Sequence, residues 1–148
     1  MAIATFISLS LTAQATRPLL SMRLTAEHGL VTGDSFTLQV TVGGLPLTVT
    51  LTKAWMTVKT LQADADPGIF QKAITTTAVT DVGQITDDGT DSTTAVLQFD
   101  CTVVDTALLT ALSQYFWDCQ VRCSDGTVHT VIGESTLIAG YGITAAVS

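Results

Sequence analysis

The stretch YFWDCQVRCSDGTVHTVIG, residues 115–133, packs three aromatics, two cysteines, a histidine and two aspartates into nineteen positions. Residues of these types could hold zinc, with Cys119 and Cys123 as thiolates and Cys101 and His129 completing the set. The interval between Cys119 and Cys123 fits numerically. Structural zinc, however, uses a close pair on a turn plus a second pair, and an extended strand carries these two sulfurs apart. Core packing is the reading for the thiols. His129 reads as a half-exposed cross-strand residue and His28, before a glycine, as part of a loop. The acidic turns around Asp64 and Asp87 could bind calcium, but neither follows the Asp-x-Asp/Asn-x-Asp/Asn-Gly spacing that wraps the ion. Tight turns demand Asp and Gly on their own account.

Acyl-transfer chemistry fares no better. Gly133-Glu134-Ser135-Thr136-Leu137 opens like a nucleophile elbow, lacks the closing glycine and is not set among alternating strands and helices. Gly140-Tyr141-Gly142 has no third glycine at the dinucleotide spacing. The only glutamates are Glu27 and Glu134, and no feature of the sequence sets them across a cleft as a glycosidase pair. No catalytic, metal or cofactor-binding residue is assigned, no cofactor is expected, and the chain does not read as an enzyme.

The elements that carry these residues are strands. Phe36, Leu38, Val40 and Val42 alternate with polar neighbours. So do Leu47, Val49 and Leu51 after Pro46, residues Ala54 to Lys59, and Leu97, Phe99, Cys101 and Val103. Turn signals at Thr32-Gly33-Asp34, Gly43-Gly44, Asp64 to Gly68 and Asp87 to Asp91 separate them. In the dense stretch, Tyr115, Trp117, Cys119, Val121 and Cys123 share one face, and Phe116, Asp118, Gln120 and Arg122 share the other. Asp125-Gly126 signals a hairpin, with Thr127 to Ile132 as the return strand. The one helical pattern is residues 105–114, with Asp105 as N-cap and Ala107, Leu108, Ala111 and Leu112 on one side. A tyrosine just after that helix matches, loosely, the tyrosine corner of immunoglobulin-like sandwiches. The fold class is therefore all-β: an immunoglobulin-like antiparallel β-sandwich with one short connecting helix.

Composition narrows the partners. Of 148 residues, 47% are hydrophobic and 13% charged, and six Lys and Arg stand against thirteen Asp and Glu, a net charge of −7. No basic cluster is present to neutralise phosphates, which argues against a nucleic-acid partner. No run of about 18 apolar residues suggests a membrane span. The opening MAIATFISLSLTAQA lacks a positive leader region and alternates with period two, so it reads as a strand instead of a signal peptide. Cys119 and Cys123 stand too far apart on one strand to bridge. Whether Cys101 pairs with either stays open, and reduced thiols in a cytosol-made protein are the plainer reading.

The order of these features resembles a known family. Gly33-Asp34 leads a strand through Leu38, and Gly44-Leu45-Pro46 turns into Leu47-Thr48-Val49. A strand ending Val58-Lys59 precedes an Asp-x-Asp segment and Ile69-Phe70-Gln71-Lys72. After a short helix come Tyr115-x-Trp117-Asp118-x-Gln120, Asp125-Gly126, Thr136-Leu137-Ile138 and Gly140. This resembles a small β-sandwich module of tailed-phage virion proteins and is similar to the N-terminal domain of upper baseplate proteins, over roughly residues 30–147. Cys119 departs from it, at a position where an aliphatic residue is expected.

The resemblance implies a virion structural protein, assembled in the host cytoplasm, with other virion proteins as partners and no catalytic residue. A tail, baseplate or fibre-adaptor role is expected. A capsid decoration (cement) protein is the alternative, and a carbohydrate-binding module is a further one, for which Trp55, Phe70, Phe116 and Tyr141 are the unassigned aromatics. A neutral, Thr-rich surface suits a homo-oligomer. On this reading residues 1–29 form an N-terminal extension or assembly arm and residues 30–148 the sandwich domain. Ile3, Phe6, Ile7, Leu9 and Leu11 are the candidate arm residues, able to add a strand to a neighbouring subunit or else to pair at home.

Overall fold

The structure, a computed structural model, describes residues 8–14, 19–46, 48–90 and 93–142. Among the described residues ten strands form two sheets, and the protein is an all-β sandwich. The strands are β1 (Ser8–Gln14), β2 (Leu19–Leu20), β3 (Arg23–Leu24), β4 (Phe36–Gly43) and β5 (Leu51–Lys59), then β6 (Phe70–Ile74), β7 (Gly83–Asp87), β8 (Ala95–Cys101), β9 (Gln114–Cys123) and β10 (Val128–Ile138). One sheet runs β1-β4-β8-β7; the other runs β2-β10-β9-β5-β6, with β3 also on β10.

Period-two burial explains the strands. Phe36, Leu38, Val40 and Val42 on β4 are buried while Thr37, Gln39 and Thr41 are not, and on β8 Leu97, Phe99 and Cys101 repeat the pattern. These residues meet Met56 and Val58 of β5 and the inward face of β9 in a single core. Burial of such side chains, about 1.5–3 kcal/mol each, is the main force that holds the two layers together.

Several elements differ from the sequence reading. The helix, α1, is Val103–Ala107 and is capped by Thr102. The Thr102 hydroxyl accepts from the Asp105 N–H (3.2 Å) and the Asp105 carboxylate accepts from the Thr102 N–H (2.8 Å). This reciprocal capping box sets the N-cap three residues before Asp105. Its buried positions are consequently Thr106 and, beyond the helix, Leu109, and Ala107, Leu108 and Leu112 turn outward. The run through Val49 is not a strand: the Val49 N–H donates to the Pro46 carbonyl in a turn, and β5 begins at Leu51. Val103, read as the end of a strand, opens α1.

Described residues before position 30, assigned by the sequence to an extension, form strands in both sheets. β1 runs parallel to β4, from Ser8 opposite Thr37 to Gln14 opposite Gly43. β2 and β3 run parallel to β10. β7, a strand the sequence reading lacked, begins at Gly83, where φ is +130° and a Cβ would lie 2.0 Å from the Gln98 carbonyl oxygen. Only glycine lets β7 approach β8 this closely.

Candidate functional site

The inward face of β9 is packing. Tyr115, Trp117, Cys119, Val121 and Cys123 are all buried. The Tyr115 hydroxyl accepts from the Thr110 N–H at 2.7 Å, the upstream backbone bond of a tyrosine corner. The Trp117 Nε1–H donates to the Thr136 carbonyl at 3.1 Å. All three cysteines are free thiols. Burial pushes Cys101 up to about 12, with the Asp105 charge adding to the shift and Lys72 opposing it; burial also drives the Cys119 thiol far upward. Neither supplies a thiolate nucleophile near neutral pH.

The other sequence candidates are occupied by structural work. Ser135 is buried, donates to the Gly133 carbonyl (2.9 Å) and accepts from the Met22 N–H (3.1 Å), so its hydroxyl secures the β3 side of the sheet. His28 Nδ1 accepts from the Thr25 N–H at 3.1 Å and closes a short turn. The Asp64 carboxylate accepts from the Leu61 N–H, Asp87 from the Gly89 N–H, and Asp88 from the N–H and hydroxyl of Thr90. Those bonds, the Thr90 hydroxyl first, hold Asp88 below its ordinary value. Among the described residues no group of three or more His, Cys, Asp or Glu could hold a metal ion.

The outward face of the same sheet carries the reactive variety. Trp55 stands opposite Gln120, with Lys53 Nζ 5.3 Å and the Arg122 guanidinium 5.7 Å from its ring centre. Further along, β10 breaks register between Thr130 and Ser135, with Gly133 inside the irregularity and Glu134 in the left-handed region at φ +48°. The irregularity opens a groove of about 370 Å³ whose lining includes Leu20, Lys59, Phe116, Asp118 and Glu134. Lys59 pairs with Asp66 at 2.9 Å. Burial raises Asp118, and Asp66 raises it further while Lys59 pulls it down; burial prevails. The sequence places Phe116 and Asp118 on the outward face of their strand and assigns Glu134 no role. The one local signal for the groove was a glycine inside a strand pattern, which marks a bulge.

Of the arm candidates, Leu9 and Leu11 lie on β1, paired within the chain's own sheet, and Ile3, Phe6 and Ile7 lie outside the described residues. Of the aromatics considered for sugar stacking, Phe70 is buried, Trp55 sits under two cations, Phe116 borders the groove and Tyr141 is exposed. Compared with known protein families and with curated proteins, the chain matches none. Fold and site together define a class, an all-β sandwich with a groove of mixed polar and apolar lining on one outer sheet face.

Asp118 yields a sign-specific prediction. Its folded value lies above its unfolded one, so the folded state holds this proton more readily and ionising the group opposes folding as pH rises through the folded value. Asp118→Asn is expected to melt a few degrees higher than the parent at pH 7, with the gap closing by pH 3, where both states are protonated. Scanning calorimetry at the two pH values checks it; an equal gap at both would trace the effect to shape and not to charge.

Proposed function

We propose that the chain is a structural subunit of a tailed-phage virion, acting by assembly in a tail, baseplate or fibre-adaptor position, with other virion proteins and copies of itself as neighbours. The phage placement rests on the resemblance of its strand and turn motifs. The assembly role is carried by one observation: α1 and the turn after it present Val103, Val104, Leu108 and Leu112 with 50%, 73%, 53% and 65% of their surface exposed. Exposed apolar side chains gathered on one short stretch of chain suit a contact surface.

A second feature suits the same role. β6 carries the inward charge of Lys72 and β7 has a register break before Asp87, devices that blunt an edge. β1 has seven residues, SLSLTAQ, with unbroken register to β4 and no charge, proline or glycine. Among the described residues no strand pairs with its other edge, which can accept a strand from a neighbour, the form the N-terminal arm takes in this proposal.

The test is native mass spectrometry beside electron microscopy of labelled virions. Val104→Lys with Leu108→Lys is expected to keep the parent melting temperature and lose the oligomer. Successive residues of a strand point their N–H groups to opposite sides, so of Ser10→Pro and Leu11→Pro one is expected to weaken the fold and the other only assembly. A parent protein that stays a monomer and leaves virions unlabelled would sink the proposal.

A further inference from the structure

The groove beside Asp118 is independent of that apolar stretch and of β1. Its charge is unbalanced. Among the described residues Lys59 is the one cation lining it, and its ammonium is drawn to Asp66. Asp118 and Glu134 enter the same space, and among the described residues no hydrogen bond or ion pair reaches either carboxylate. The acids sit beside the Phe116 ring and the Leu20 side chain, which supply apolar surface to the same groove.

The same sheet face shows what completes such a place. Trp55, elsewhere on this face, has two cations of its own over the ring, Lys53 and Arg122. Phe116 has none among the described residues, although it stands directly opposite Lys59. One aromatic is thus supplied with cations from within the chain, while the other lies next to two carboxylates that have, among the described residues of the groove lining, only Lys59 as a cation, itself paired with Asp66.

We propose that this groove is a docking site for an arginine side chain presented by a partner protein. A guanidinium is planar, stacks on an aromatic ring, and donates in a fork to a carboxylate, whereas its aliphatic stem suits Leu20. The volume of about 370 Å³ is at the small end of ligand sites and accommodates one long side chain with its flanking backbone. The acidic chain as a whole, at −7, favours approach of a basic partner. Loss of solvent around Asp118 on docking strengthens its pairing with the guanidinium.

The probe is N-acetyl-argininamide, with N-acetyl-citrullinamide as a neutral analogue of nearly the same shape. Titrated into the full chain and followed by NMR, the arginine compound is expected to shift the Phe116, Asp118 and Glu134 signals saturably, with a Kd of about 1 mM, which corresponds to some −4.1 kcal/mol. The citrulline compound is expected to bind at least tenfold more weakly. Asp118→Asn with Glu134→Gln is expected to abolish saturation while the amide spectrum elsewhere keeps its folded dispersion. Saturable binding of both compounds with equal strength, unchanged binding to the double variant, or no saturable shift at 50 mM probe (about fifty times the expected Kd) would each overturn the proposal.

Discussion

Replacing Trp117 with alanine is expected to lower the free energy of unfolding by about 3–5 kcal/mol, read from urea denaturation at pH 7. The indole is 3% exposed and lies mid-strand, opposite Val58 on β5 and Ser135 on β10. Truncation removes its transfer free energy, leaves a cavity that flanking β-strands collapse into poorly, and strips the Thr136 carbonyl of its donor. Trp117→Phe keeps most of the volume and loses the N–H, so about 1–2 kcal/mol is expected. The neighbouring Phe116→Ala is the control. That ring is half-buried on the opposite face, and its loss is expected to change stability by less than about 1 kcal/mol. A loss below about 1 kcal/mol for Trp117→Ala would show that the indole is not a core residue and would reopen a functional reading of the 115–133 stretch.

That parity was legible because a strand converts sequence spacing directly into facing. Tyr115, Trp117 and Cys119 could be assigned inward without knowing the partner strands, and Asp125-Gly126 announced the turn between β9 and β10. Legibility ends where tertiary contacts decide. The helical periodicity of 105–114 was real, but the capping box at Thr102 and Asp105 set the start of α1 and rotated the pattern outward. β2 and β3 have two residues each, too few for any period, and their parallel pairing to β10 depends on residues more than a hundred positions away. The groove joins Leu20, Lys59, Asp118 and Glu134 through a break in strand register, and no spacing in the sequence links those four.

Lys72→Met is expected to be the most damaging change away from the core aromatics, at about 3 kcal/mol at pH 7, because it strands the partly buried carboxylate of Asp105. Lys72 faces inward between Phe70 and Ile74, pairs with Asp105 at 2.5 Å and donates to the Asp81 carbonyl at 2.9 Å. Burial alone would raise Asp105, but Lys72 and the Thr102 donors together bring it below the ordinary carboxylate range. A lowered folded value means that the stability Asp105 lends is present above its unfolded pKa of about 3.9 and is lost as pH falls through the lower folded value. The penalty of Lys72→Met should therefore shrink by pH 2. As pH falls toward that value the parent progressively loses the stability that its carboxylate lends, and the variant, whose Asp105 lacks the lysine, has less of it to lose. Lys72→Met combined with Asp105→Asn should recover much of the loss at pH 7, since removing both charges of a buried pair is far milder than removing one. The same lysine is the inward charge that blunts the β6 edge, so the single variant should also scatter more light on storage. An equal penalty at both pH values would mean that Lys72 contributes through the packing of its stem, not through Asp105.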